Sequence, residues 1–220
     1  MIGTKLAVFL IVGTLIMFIQ MILRGKYNSI AVVKYPFIAV FLTMAGTSGA
    51  LIMFWIENGY IGGRSFFGAI LFVPVLMLPI CWVLKIPFGE LLDLCSAAEC
   101  AMLALLKIEC ITSGCCYGRV LSKSESGEIV RFPSQFVELV VVLFIMFYLM
   151  RIEKEKENHN LLYPMYMILY GGTRFMLNWL RGDLEPFVWG LPAGSFWGIC
   201  SVIIGLSAYI LIKGLQKEKS

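Results

Sequence analysis

The stretch Tyr170-Gly-Gly-Thr-Arg174-Phe-Met-Leu-Asn178-Trp-Leu-Arg181 closes an apolar run yet carries two arginines and an asparagine. Tyr170, Arg174, Asn178 and Arg181 follow one another at steps of four, four and three, which places them on one face of a helix. Charged groups at membrane depth are costly, and they turn toward a bundle interior, a water-filled cavity or an anion. Two guanidiniums on one stripe suit an anionic partner such as a lipid phosphate, which the planar fork of Arg holds through two hydrogen bonds. The alternative is that they pair with helix carboxylates or snorkel to headgroups. Arg174, about two turns deeper than Arg181, favours the anion.

Working outward, the 220 residues are 60% hydrophobic, with a mean hydropathy of +0.86. That composition excludes a water-soluble domain and suits one membrane bundle. Apolar runs near 5–23, 30–56, 66–84, 89–113, 135–151, 161–181 and 193–213 each approach the ~20 residues that a bilayer needs. The expectation is a single integral membrane domain over 1–220, an all-α polytopic bundle of about seven spans around a polar lipid-binding cleft. No long linker and no repeat of the transporter kind interrupts it. The first run, Leu6 to Leu23, is longer than the apolar part of a signal peptide and reads as a retained helix. The second contains Pro36 and Gly46-Thr-Ser-Gly49, which predict a tilt, a kink or a partly unwound turn. The fourth carries Glu90, Asp93, Glu99, Lys107 and Glu109, too many charges for a lipid-facing helix.

The net charge of +4 is spread over loop ends with no basic patch among aromatics, which argues against nucleic acid. Its distribution sets an orientation. The first loop holds Arg24, Lys26 and Lys34, the third Lys85, the fifth Arg151, Lys154 and Lys156, and the tail Lys213, Lys217 and Lys219. The second loop holds Arg64 and the sixth Arg181. The odd loops and the C-terminus are therefore predicted to be cytoplasmic, with the N-terminus outside. Loop four, 114–134, breaks the pattern with Arg119, Lys123 and Arg131, and is taken as an outer segment whose arginines have another task. The seven cysteines include no C-x-x-C, and the one histidine, His159, lies in a charged loop, so no zinc site is expected.

Three further polar clusters stand out. Gly62-Gly-Arg64-Ser-Phe-Phe-Gly68 opens the third span, with glycines that permit close backbone approach or a turn with amides facing an anion. In Lys107-Ile-Glu109-Cys-Ile-Thr-Ser-Gly114-Cys115-Cys116-Tyr117-Gly118-Arg119, the two glycines bracket a tight turn that presents Tyr117 and Arg119. Lys107 shares a fourth-step stripe with Glu99, so those two are a candidate buried ion pair. Arg131-Phe-Pro133-Ser134-Gln135-Phe-Val-Glu138 describes a helix start, with Glu138 one turn inside and in need of a cation or hydrogen-bond donor.

Gly-Cys-Cys-Tyr-Gly-Arg, then Pro-Ser-Gln-x-x-Glu, then Tyr-Gly-x-x-Arg-Phe followed by Arg181, in this order and spacing, resemble the motifs of the prolipoprotein diacylglyceryl transferase family. The resemblance runs from about Gly62 to Gly198. It implies a bacterial cytoplasmic-membrane enzyme that needs no metal, nucleotide or other cofactor. Such an enzyme moves the diacylglyceryl group of phosphatidylglycerol to the thiol of a lipobox cysteine in a lipoprotein precursor and releases glycerol phosphate. By resemblance Arg181 and Arg119 would be catalytic, with Lys107 keeping a positive charge beside them. Arg174, Tyr170, Ser134, Gln135 and Glu138, by resemblance, and Asn178, Arg64 and Tyr117, from their places in the polar clusters, would bind substrate. The chain departs from the family pattern at Phe67, where the motif has histidine, at Leu106-Lys107, where the signature opens Gly-Arg, and at Asn178, often a glutamate. Two alternatives remain open: a lipid-binding accessory protein that has lost the chemistry, and a transferase with a different acceptor.

Overall fold

A computed structural model describes residues 2–114, 116, 118–123, 129–181 and 186–219. Its helices are α1 (Ile2–Arg24), α2 (Tyr35–Asn58), α3 (Phe66–Leu76), α4 (Leu78–Leu84), α5 (Phe88–Ser113), α6 (Ser134–Ile152), α7 (Leu162–Asn178) and α8 (Ala193–Lys219). α3 and α4 form one broken span, Phe66–Leu84, so the eight helices make the seven expected passes. Five passes are long and apolar enough to cross a membrane. The other two, α5 and α7, are the polar ones.

α5 runs through the centre, and from Leu91 to Ala104 only Leu92 escapes full burial. Ala97, Ala98, Ala101 and Ala104 keep that helix thin, so its neighbours approach closely where the hydrophobic effect supplies no drive between helices. This is why it tolerates its charges: Asp93, Glu99 and Lys107 face protein, and Glu90 and Glu109 lie near its two partly exposed ends.

Two glycine pairs set the tightest contacts. A Cβ on Gly49 would meet the carbonyl oxygen of Gly68, and one on Gly68 would meet that of Gly49, so α2 and α3 touch backbone to backbone. Gly171 and Gly198 stand in the same relation between α7 and α8. The break predicted at Gly46–Gly49 is absent, because α2 is continuous from Tyr35 to Asn58. Thr43 and Thr47 return their hydroxyls to the carbonyls of Ala39 and Thr43 at 3.0 and 2.7 Å, and Gly49 serves packing against α3.

The break falls in the third pass, which carries two prolines. Pro74 cannot donate to the carbonyl of Ile70 four residues earlier. The Tyr163 hydroxyl of α7 donates to that carbonyl across the bundle at 2.9 Å. Pro79 then opens α4 beyond the turn at Met77.

One end of the bundle gathers the odd loops. Arg24 forms a buried ion pair with Glu153 at 2.7 Å and donates to the carbonyls of Asp93 and Leu94 at 2.9 Å. Asp93 accepts the backbone N–H groups of Asn160 and Leu162, Lys34 reaches the Leu84 carbonyl, and Gln216 the His159 carbonyl. The even loops collect at the opposite end. There β1 (Val120–Lys123) pairs antiparallel with β2 (Ile129–Arg131), and β3 (Pro186–Val188) with β4 (Leu191–Pro192).

Candidate functional site

Glu138 lies one turn into α6 and is 3% exposed. Its Oε1 meets Lys107 Nζ from α5 at 2.9 Å, and its Oε2 meets a terminal nitrogen of Arg174 from α7 at 2.7 Å. The Tyr170 hydroxyl, one turn before Arg174, donates to Oε1 at 3.1 Å. Three helices thus converge on one carboxylate. Removing it leaves two cations uncompensated in a buried place.

Lys107 pairs with Glu138 and not with Glu99. The eight-residue spacing of Lys107 and Glu99 is about 12 Å along the helix, beyond ion-pair range. Glu99 instead lies against the Tyr163 hydroxyl at 3.1 Å.

In front of this cluster opens a cavity of about 590 Å³, within the roughly 300–1,000 Å³ of small-molecule sites. Arg64, Lys107, Arg174 and Arg181 line its polar end, and Leu10, Met17 and Leu42 line its apolar depth. Glu138 stands behind Lys107 and Arg174 and fixes where their charges sit. The wall beside Tyr170 is aromatic. Phe66 and Phe67 place their rings 5.4 and 5.7 Å from it, and Phe67 is 3% exposed, so no titratable side chain occupies that position.

The backbone holds the signature loop against the arginine stripe. Gly118 bridges Arg181, the N–H of Arg119 donates to the Leu180 carbonyl at 3.0 Å, and the N–H of Gly118 donates to the Phe132 carbonyl at 3.1 Å. Ser134 donates from Oγ to the Cys116 carbonyl at 2.8 Å, and Gln135 is buried beside it. Ser134 therefore ties the loop to α6, and neither it nor Gln135 lines the cavity. Arg119, which was expected to close the far side, is exposed and does not line the cavity in this structure. Asn178 donates to Ser195 Oγ at 3.0 Å and clamps α7 to α8, away from its former companions. Tyr117 and Cys115 lie outside the described residues.

Sequence reasoning missed one polar pair in this wall. Glu57 and Ser65 both line the cavity, and Ser65 Oγ donates to Glu57 Oε1 at 2.6 Å. Eight residues and a turn separate them. The available signal was a carboxylate at the end of an apolar helix, on the same side as the arginines.

A sequence model of the prolipoprotein diacylglyceryl transferase family matches residues 5–211. Among known proteins the chain is similar to a phosphatidylglycerol–prolipoprotein diacylglyceryl transferase of Campylobacter hominis, 30% identical over 170 residues, 72% of this chain and 60% of that protein. It is similar to one of Ehrlichia ruminantium, 30% identical over 161 residues, 66% of this chain and 62% of that protein. To one of Clostridium tetani it is 25% identical over 130 residues, 54% of this chain and 52% of that protein. The chain thus spans about half to three-fifths of the length of these relatives. With the family match running from α1 into α8, the chain belongs to the prolipoprotein diacylglyceryl transferase family.

Proposed function

We propose that the chain is a membrane transferase that takes the diacylglyceryl group from phosphatidylglycerol and passes it to a thiol, the lipobox cysteine of a lipoprotein precursor. The observation that carries this is the gathering of Arg64, Lys107, Arg174 and Arg181 at one end of a cavity whose deeper lining, Glu99 apart, is mostly apolar. A phosphodiester headgroup matches the cationic end, and the acyl chains match Leu10, Met17 and Leu42. Preorganised cations around a phosphate stabilise the charge that grows on departing glycerol phosphate, and at low dielectric they act strongly. The sulfur bonds to the glyceryl carbon as that carbon's bond to the phosphate oxygen breaks. Arg181 and Arg174 hold the phosphate, and Lys107, fixed by Glu138, completes the cationic wall. The names of the relatives support the same substrates.

In this reading the protein is a multi-pass component of the bacterial cytoplasmic membrane. The odd loops and C-terminus face the cytoplasm, and the cavity opens toward the outer leaflet. The test is incubation of purified protein with headgroup-labelled phosphatidylglycerol and a lipobox peptide, beside Arg181→Ala. Release of glycerol phosphate that Arg181→Ala abolishes is the expected result, and release unaffected by the substitution would overturn it.

Buried Phe67 favours a second reading, an accessory protein that binds the lipid without turning it over. Phosphatidylglycerol retained by the protein, with neither peptide nor water as acceptor, would select it.

A further inference from the structure

Transfer to a thiol requires that the S–H proton leave, because the thiolate and not the thiol is the nucleophile. The chain's single histidine, His159, lies in the loop at the opposite end of the bundle, where its carbonyl accepts from Gln216. The proton acceptor must therefore be sought among the carboxylates around the cavity.

Four are near it. Glu138 is engaged by Lys107, Arg174 and Tyr170 and stands behind the wall. Glu99 is at the cavity floor, two helical turns deeper than Lys107, about 12 Å from the cationic end. Glu109 accepts from Ser113 one turn on in its own helix, at the exposed rim. Glu57 remains. It comes from the outer end of α2, lines the cavity together with Arg64, Arg174 and Arg181, and is close enough to Arg174 to feel its charge. Ser65 Oγ holds its Oε1 at 2.6 Å, and among the described residues Glu57 forms no ion pair. One oxygen is thus fixed by a hydroxyl, and the Trp197 side chain of α8 also acts on this carboxylate.

Resting on the transferase reading, we infer that Glu57 is the general base of the transfer, positioned by Ser65. The Glu57 carboxylate takes the proton from the acceptor S–H as sulfur bonds to the glyceryl carbon. The carbon–oxygen bond to phosphate breaks, and its electron pair leaves on glycerol phosphate. Glu57 then gives the proton to that phosphate, which restores the carboxylate and leaves a thioether and a phosphate monoester. The step needs no co-reactant. A positioned base of this kind contributes about 100- to 10,000-fold.

The experiment follows transfer of labelled diacylglyceryl to a lipobox peptide by the purified full chain, as a function of pH. Wild type, Glu57→Gln, Glu57→Asp and Glu109→Gln are compared, and phosphatidylglycerol binding is measured for each. At pH 6.5, Glu57→Gln is expected to be at least about 100-fold slower than wild type with lipid binding unchanged. Above the thiol pKa of about 8.5, where the peptide supplies its own thiolate, the deficit shrinks toward tenfold or less. Glu57→Asp keeps a carboxylate and retains part of the rate, and Glu109→Gln matches wild type. A Glu57→Gln protein that binds lipid and runs at the wild-type rate at pH 6.5 overturns the assignment. So does a deficit that stays the same at pH 9, or one that appears in Glu109→Gln instead. A wild type that labels no peptide at any pH fails the transferase reading itself, and is told apart because all four proteins are then equally silent.

Discussion

Glu138 concentrates the residue-scale argument. A carboxylate 3% exposed in a membrane bundle is expensive alone, and Lys107 and Arg174 are equally expensive without it. Each compensates the others, which fixes two cations at a stated place on the cavity wall. Glu138→Gln is expected to lower stability in detergent by about 3–5 kcal/mol, as removal of one member of a buried ion cluster does. The denaturant midpoint measures it, and a loss below about 1 kcal/mol would mean the cations find other partners. The need of Glu138 for a cation was legible from its place in an apolar helix. Which cation was not, because Lys107 and Arg174 lie on other helices. The stripe was legible too, but only partly divided. Four-residue steps advance about 40° each around a helix, so Asn178 has turned about 80° from Tyr170, while Arg181 lies past the end of α7 and is placed by its bridge to Gly118. Asn178 accordingly meets Ser195 on α8, and Arg181 lines the cavity with Arg174.

The broken third pass makes the clearest case at the scale of elements. Pro74 frees the Ile70 carbonyl, and Tyr163 satisfies it from α7. Tyr163→Phe leaves that buried carbonyl without its donor and takes the same hydroxyl from Glu99, at a cost of about 1–3 kcal/mol. Pro74→Ala returns an N–H to the same carbonyl within the helix. The cost of Tyr163→Phe is therefore expected to fall in the Pro74→Ala background, with a coupling of at least about 0.5 kcal/mol in a double-mutant cycle. Strict additivity would contradict this account. The prolines were visible in the sequence, but the compensating hydroxyl was not, since it lies 93 residues away. The same limit hid the Gly49–Gly68 contact. Gly46 and Gly49 in one helix signalled weakness, and only the facing Gly68 shows that the missing side chains are spent on closeness.

At the scale of the whole molecule, seven passes were legible because each apolar run is long, and the charges of α5 marked it as central. The two hairpins were not legible. Their four short strands carry no sustained alternation, and pairing across the loops creates them. The odd loops gather around Arg24 and Glu153 at one end of the bundle, and the proposed topology puts that end in the cytoplasm. In a cysteine-free background, Tyr60→Cys is expected to react with an impermeant maleimide in intact cells, and Lys154→Cys only after permeabilisation. Both positions are exposed. The reverse pattern would invert the topology and put the cavity on the wrong leaflet for a secreted acceptor.

The central claim is that the cationic end of this cavity holds phosphatidylglycerol for attack by a thiol. Mass spectrometry of a lipobox peptide after incubation with purified protein and phosphatidylglycerol tests it most directly. The account predicts a peptide heavier by one diacylglyceryl group on its cysteine, formed by wild type and lost in Arg174→Ala. A peptide left unmodified by wild type, in a preparation that binds the lipid, would contradict it.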